Sequence, residues 1–139
     1  MDATTDGRHA ITTRTASAAA LYRVGLTLVI TSSPAALDVL GAALAADVQL
    51  AVAHAAMALV LADYGLGGDA EAAMTAAREI VHFATRRERQ HVEIIGLFVD
   101  GDVRRAQALG AEHVLEFAGD RLIEWLIARW RRPSSRAPA

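Results

Sequence analysis

A glycine followed directly by an aspartate occurs three times in the chain, at 68–69, 101–102 and 119–120. Glycine ends helices because it adopts left-handed backbone conformations without strain, and aspartate begins them because its carboxylate accepts N–H groups of the first turn. Ser33-Pro34 is a fourth helix-start signal. The alternation of apolar and polar residues that is typical of strands is almost missing, and only Val24–Ile30 resembles a strand. The sequence therefore predicts an all-α protein.

These signals divide the chain into about seven helices. Their expected ranges are 16–31, 34–46, 48–64, 70–84, 86–100, 103–118 and 120–131. We expect residues 1–14 to form a disordered arm, 15–132 a single helical-repeat domain, and 133–139 a disordered tail.

The spacing of two helix starts indicates a repeat. Asp69 and Asp102 lie 33 residues apart, close to the period of a tetratricopeptide unit. The same shift aligns Ala77 with Gly110, and small residues at matched positions allow the two helices of a hairpin to pack closely. We expect tetratricopeptide-like helical hairpins in a short right-handed solenoid.

A series of short motifs extends this expectation. They are Ala43-Leu44, Asp47, Ala53-His54, Arg87-Glu88-Arg89-Gln90-His91 and Gly101-Asp102. In this order, within about residues 16–120, they resemble the first repeats of the tetratricopeptide repeat protein 38-like family, although Val48 takes the place of the family's usual proline. The resemblance implies a helical-repeat fold and no defined biochemical activity.

Composition narrows the classes of function. The formal net charge is −2, so we expect no nucleic-acid partner. Cysteine is absent, which excludes disulfides, thiolate catalysis and cysteine-ligated metals. The most apolar segment, 48–62, is shorter than the roughly 20 residues of a membrane span, and the N-terminus does not resemble a secretory signal. We expect a cytoplasmic protein without a membrane partner.

The segment ATRRERQHVE, 84–93, has two readings. Thr85 followed three residues later by Glu88 predicts a capping box, in which each side chain binds the other residue's backbone N–H. The competing reading is a dimetal centre, because Glu79/His82 and Glu88/His91 share the Glu-x-x-His spacing of di-iron bundles and Glu112 and Glu116 could complete the ligands. His82 lies near a helix end, which favours the capping box, and we expect no metal and no cofactor.

Three histidines lie on apolar helix faces. A buried imidazole needs a hydrogen-bond partner, and most often this is a nearby carbonyl or side chain. If these histidines converge with a tyrosine and an arginine, they form a small-molecule pocket. The pocket candidates are Tyr22, His54, Arg87, His91 and His113.

The last predicted helix has apolar residues on more than one face. A terminal helix of a repeat array is normally polar on its outer side. We therefore expect a second copy of the chain, or a partner helix, to dock there, the alternative being that the tryptophans fold back onto the preceding hairpin. The interface candidates are Leu122, Trp125, Leu126 and Trp130.

Two functions follow from these patterns. The first is a non-catalytic scaffold that binds a protein or peptide, or forms a homodimer through its C-terminal helix. The second is a small helical enzyme or small-molecule-binding protein with a His/Arg-lined pocket between hairpins. The repeat spacing and the lack of catalytic motifs favour the first.

Overall fold

The computed structural model describes residues 9–131, and within this range the chain is entirely helical, with no β-strand. The helices are α1 (Ala16–Ile30), α2 (Ala36–Ala46), α3 (Ala51–Asp63), α4 (Gly67–Ile80), α5 (Arg86–Val99), α6 (Val103–Glu116) and α7 (Arg121–Arg131), with a 3-10 turn at Val81–Phe83. The all-α prediction is confirmed. The expected disorder of residues 1–8 and 133–139 lies outside the described residues. Residues 9–14 have no regular secondary structure but make hydrogen bonds to four parts of the fold: α1, α5, the α2–α3 connection and the α6–α7 connection.

The sequence predicts the first residues of three helices, α5, α6 and α7, to within one residue. Gly101 and Gly119 have φ values of 88° and 93°, and an aspartate follows each. Asp102 accepts the N–H of Arg105, so it caps α6. At α5 the capping box of Thr85 and Glu88 is confirmed.

Two starts differ from the prediction. Gly68-Asp69 does not separate two helices, because Gly65 adopts the left-handed conformation, φ 78°, and α4 already begins at Gly67. Asp69 therefore lies in the first turn of α4, where its negative charge interacts favourably with the positive end of the helix dipole. Ser33 does not cap α2 directly. Its hydroxyl accepts the N–H of Ala35, one residue before the helix begins.

Small side chains bring the helices close together. Helix α3 is buried on most sides and contacts α1, α2, α4 and α5, and its buried residues are mainly alanines. Between α1 and α2, a Cβ atom on Gly25 would lie 2.7 Å from the side chain of Leu40. Close backbone approach is therefore one of the features on which packing of these helices depends.

The helices pack first as neighbours along the chain. The most extensive contacts pair α3 with α4, α1 with α2, and α5 with α6, while α5 also packs on α3. Helix α7 packs on α6 and also touches α1, so the two ends of the helical region meet. No helix in residues 9–131 has both the length and the apolar character needed to cross a membrane.

Candidate functional site

The centre of the candidate site is a buried carboxylate, that of Asp120, which is only 4% exposed. Its Oδ2 atom accepts hydrogen bonds from Arg87 Nη1 at 3.0 Å, His91 Nδ1 at 2.9 Å and His113 Nε2 at 2.8 Å. Its Oδ1 atom faces the N–H of Ile123 at 3.5 Å, which is the position of an N-cap for α7. Helices α5, α6 and α7 therefore meet at one carboxylate.

The surroundings of Asp120 keep it ionised. Burial by itself raises the pKa of this carboxyl. The attraction of His91, the hydrogen bonds from His113 and His91, and the charge of Arg87 outweigh burial and hold its pKa well below the usual range. A permanent negative charge thus lies between three nitrogen donors.

His113 is fixed at both ring nitrogens. Its Nε2 atom contacts Asp120, and its Nδ1 atom lies 2.6 Å from Oε1 of Gln90 on α5. The ring is fully buried and packs against Phe117, with ring centroids 5.1 Å apart. His113 therefore anchors the carboxylate and has no nitrogen left for a ligand.

His91 differs from His113 at one nitrogen. The residue is 1% exposed, and its Nδ1 atom is bound to Asp120. Its Nε2 atom is buried and has no hydrogen-bond partner among the described residues. Buried polar atoms without a partner are uncommon and call for an explanation, such as a ligand. A carboxylate on one nitrogen that fixes the ring and leaves the other open is the arrangement of histidines that bind ligands or transfer protons.

A tyrosine from α1 completes the inner part of the site. Burial and then the negative charge of Asp120 raise the pKa of Tyr22 far above its usual value, although the charge of Arg87 opposes this. The phenol is therefore neutral and retains its O–H donor.

A small cavity of about 50 Å³ lies beside these residues. It is far smaller than the roughly 300–1,000 Å³ of a typical drug-sized pocket, so it suits a small chemical group. Its lining includes the side chains of His9, Ile11, Tyr22, Arg23, Arg87, His91, Asp120 and Arg121.

The cavity lining has an excess of positive charge. Arg87 is balanced by Asp120, but Arg121 pairs with no carboxylate in residues 9–131 and donates to Thr27 Oγ1 at 3.2 Å. Arg23 also lines the cavity and donates to the carbonyl of His9 at 3.0 Å. Because Arg87 is paired with Asp120 and Arg121 has no carboxylate partner among the described residues, the positive charge of Arg121 favours an anion in the cavity.

Four of the five pocket candidates come together. Tyr22, Arg87 and His91 line the cavity, and His113 lies behind them, bound to the same carboxylate. His54 is not among the cavity-lining residues. It is half-buried on α3, and its Nε2 atom lies 2.8 Å from the carbonyl oxygen of Val48, the kind of structural partner expected for an isolated histidine.

The interface candidates on α7 are divided between the core and its edge. Leu122 and Leu126 are completely buried within the chain, so they are not available to a partner in this conformation. Trp130 is half-buried and packs on Phe98, with centroids 5.5 Å apart. Trp125 is also half-buried and lies under the guanidinium of Arg129. Trp130 therefore folds back onto the preceding hairpin, whereas Trp125 lies beside Val29 of α1 and Val60 of α3.

The residues of the dimetal reading do not form a buried cluster. Glu79, His82, Glu112 and Glu116 are exposed, and Glu116 pairs with Arg86. Glu88 is buried, but it binds the threonines at 12 and 85.

A different group of possible metal ligands is formed by His91, His113 and Asp120, whose ligand atoms lie within 4.8 Å of one another. Arg87 lies 3.0 Å from the same carboxylate, and its fixed positive charge opposes a cation there. The hydrogen-bond distances of 2.8 and 2.9 Å are those of a carboxylate satisfied by donors.

Sequence reasoning missed the residue at the centre. Asp120 was assigned only as an N-cap, which it is, but its carboxylate also binds side chains 29 and 33 residues earlier in the chain. Gln90 and Arg121 were also missed. The available signal was weak: an N-cap aspartate seven residues after an inward-facing histidine.

Comparisons of the chain with protein-family models, with curated proteins and with solved structures find no match.

Proposed function

We propose that this chain binds a small anionic group, a carboxylate or a phosphate, in the cavity between α1, α5 and α7. The observation that carries the proposal is the buried Nε2 atom of His91, which has no partner among the described residues although the opposite nitrogen is fixed by Asp120. When His91 is in its imidazolium form, with Nδ1–H donated to Asp120, Nε2 also carries a proton, and an anion in the cavity supplies the acceptor for it.

Charge and size support the same ligand class. Arg121 has no carboxylate partner within the described residues, and the neutral Tyr22 phenol is a second kind of donor. Hydrogen bonds from charged donors are about twice as strong as neutral ones, so a small anion can bind with few contacts. The cavity volume of about 50 Å³ suits the charged end of a ligand and not a large apolar body.

Titration calorimetry with inorganic phosphate and with sodium acetate tests this proposal. Arg121→Gln is expected to weaken binding of the preferred anion by about tenfold or more, since a hydrogen bond to a charged group contributes about 1.5–3 kcal/mol. Arg104→Gln is the matched control, because Arg104 is an exposed helical arginine that does not line the cavity. Equal affinities of the two variants, or no heat with either anion on the wild type, would contradict the proposal.

Histidine spectra locate the bound anion. In nitrogen-15 NMR, phosphate or acetate is expected to shift the Nε2 resonance of His91 and to leave that of His54 unchanged. A shift confined to His54 or to the exposed His82 would place binding elsewhere on the surface.

For the arrangement of the helices we propose tetratricopeptide-like hairpins in a short right-handed solenoid, and membership of the tetratricopeptide repeat protein 38-like family. Pairing of α1 with α2, α3 with α4 and α5 with α6, together with the packing of α5 on α3, supports this arrangement. The cytoplasmic location also stays a prediction.

A protein-binding scaffold is the second candidate function. The half-buried Trp125 on α7 is the observation that favours it, because this side chain, like that of Trp130, is a part of the predicted interface that a second copy of the chain can still reach. Light scattering at several concentrations on the wild type and on Trp125→Glu tests it. A dimer that the substitution splits supports self-association through α7, whereas a monomer in both proteins removes this interface.

A further inference from the structure

The residues that precede α1 form one side of the cavity. We call residues 9–15 the N-terminal strap. Ile11 is buried, and both His9 and Ile11 line the cavity beside His91. With the strap in place, His91 is 1% exposed, so a ligand from solvent has little access to its free nitrogen.

The second half of the strap is bound to two buried carboxylates. The N–H and hydroxyl of Thr12 donate to Glu88 at 2.8 and 2.5 Å. The hydroxyl of Thr13 and the N–H of Arg14 donate to Asp47 at 2.6 and 2.9 Å. Hydrogen bonds to ionised acceptors are the strong class, and burial strengthens them further.

These two carboxylates depend on the strap. Within residues 9–131 neither Glu88 nor Asp47 forms an ion pair, so hydrogen-bond donors are the main stabilisation of their charges, and at Asp47 the nearby charge of Arg14 also contributes. Burial raises the pKa of Asp47, but the bonds from Thr13 and from the backbone of Arg14 and Gln49 outweigh burial and lower it. Release of residues 12–14 would leave buried charges short of donors, so this half is fixed.

The first half of the strap is held more weakly. The His9 ring bonds to the carbonyl of Ala118 at 2.9 Å, and the carbonyl of Ala10 accepts from Arg87 at 3.2 Å, both at exposed positions. The carbonyl of His9 accepts from Arg23 at 3.0 Å. Exposed bonds of this kind open more easily than buried bonds to carboxylates, because water replaces the lost partner.

The difference between the two halves defines a hinge. We infer that residues 9–11 form a gate over His91, hinged at the Thr12–Glu88 contact, and that this gate must open for an anion to reach the buried Nε2 atom of His91. Arg23 and Arg87 hold the gate through backbone carbonyls and also line the cavity, so an incoming anion competes for the same guanidinium groups. The role in ligand access rests on the proposed function, but the gate itself does not.

Chemical labelling of histidines tests the gate without any ligand. Diethyl pyrocarbonate modifies imidazole nitrogens, and mass spectrometry gives the rate at each histidine. In the wild type we expect slow labelling of His91 and fast labelling of the exposed His82, which serves as the internal standard. Ile11→Ala removes apolar contacts of the gate and is expected to speed labelling of His91 by about tenfold.

Ile30→Ala is the matched control, because Ile30 is a partly buried isoleucine at the far end of α1 that does not line the cavity. It is expected to leave the rate at His91 unchanged. Equal acceleration by Ile11→Ala and Ile30→Ala would mean that His91 is reached by global unfolding, and wild-type labelling of His91 as fast as that of His82 would mean that no gate is closed. Either result overturns the inference.

Amide hydrogen exchange on the wild type gives a second readout that needs no variant. The N–H groups of Thr12 and Arg14 are expected to exchange more slowly than those of Ala10 and Ile11, since only the former donate to carboxylates. Equal rates across the strap would remove the hinge. If phosphate and acetate fail to bind while labelling and exchange behave as expected, the ligand class is wrong and the gate remains.

Discussion

Replacement of Asp120 by asparagine tests whether this carboxylate holds the site together. Asparagine preserves the shape of the side chain and one acceptor oxygen, so the cap of α7 is kept. The charge is lost, and three donors from Arg87, His91 and His113 then face an amide. Removal of one member of a buried charged cluster costs about 3–5 kcal/mol, and we expect a value near 3 kcal/mol because the shape is conserved.

Asp102 provides a matched control in the same chain. It follows a left-handed glycine and caps the next helix, as Asp120 does, but it is half-buried and its ion partner is the exposed Arg105 at 3.5 Å. Asp102→Asn is therefore expected to cost less than about 1 kcal/mol, since asparagine caps nearly as well as aspartate and surface pairs contribute little.

Urea unfolding followed by tryptophan fluorescence measures the difference, because both tryptophans lie on α7. A loss of about 3 kcal/mol lowers the urea midpoint by roughly 1–3 M at a slope of 1–3 kcal/mol per molar. If the two variants unfold within about 0.5 kcal/mol of each other, the buried hydrogen bonds of Asp120 do not stabilise the fold beyond a simple cap, and the reasoning is refuted.

Three other predictions concern pH and packing. Because the folded-state pKa of Asp120 lies below its unfolded value of about 3.9, the stability it contributes is present above about pH 4 and is lost as pH falls, so urea midpoints of the wild type should decline more steeply in acid than those of the asparagine variant. The raised pKa of Tyr22 acts in the opposite direction: the stability it contributes is present below about pH 10 and is lost as pH rises, and ultraviolet titration should show Tyr22 ionising only on unfolding. Gly25→Ala should cost about 1–3 kcal/mol in the same urea assay, because its Cβ would lie 2.7 Å from a leucine side chain of α2, whereas Gly67→Ala, with open space around it, should cost nothing.

The sequence predicted best what depends on a few neighbouring residues. Thr85 and Glu88 specify a capping box because both bonds span three residues, and the structure contains it. Gly68-Asp69 was misread because the nearby Gly65 provides a competing left-handed position, and the choice between them depends on how α3 and α4 pack. Local rules therefore locate the helices but do not always fix their first residue.

The sequence predicts only part of the candidate site, because the partners of its histidines are set by tertiary contacts. His91 and His113 were identified because an imidazole on an apolar face needs a partner, but the identity of that partner depends on contacts across 29 and 7 residues. His54 carries the same local signal, yet its partner is the carbonyl of Val48, six residues away. A pattern of inward-facing histidines thus indicates candidate site residues. Which of them belong to the site depends on the tertiary packing of α5, α6 and α7.

The same carboxylate serves the fold and the site, and this links the two experimentally. Asp120 caps α7 and fixes His91, so any substitution there changes the stability of α7 and the position of the free nitrogen together. A loss of anion binding in an Asp120 variant would therefore not separate a damaged pocket from a displaced helix. Arg121 lacks this double role, because it lies after the cap and donates only to Thr27 among the described residues. Ligand affinity is thus best tested at Arg121 and the stability of the cluster at Asp120. Loss of anion affinity with unchanged stability in Arg121→Gln would show that binding and folding depend on different atoms of the same site.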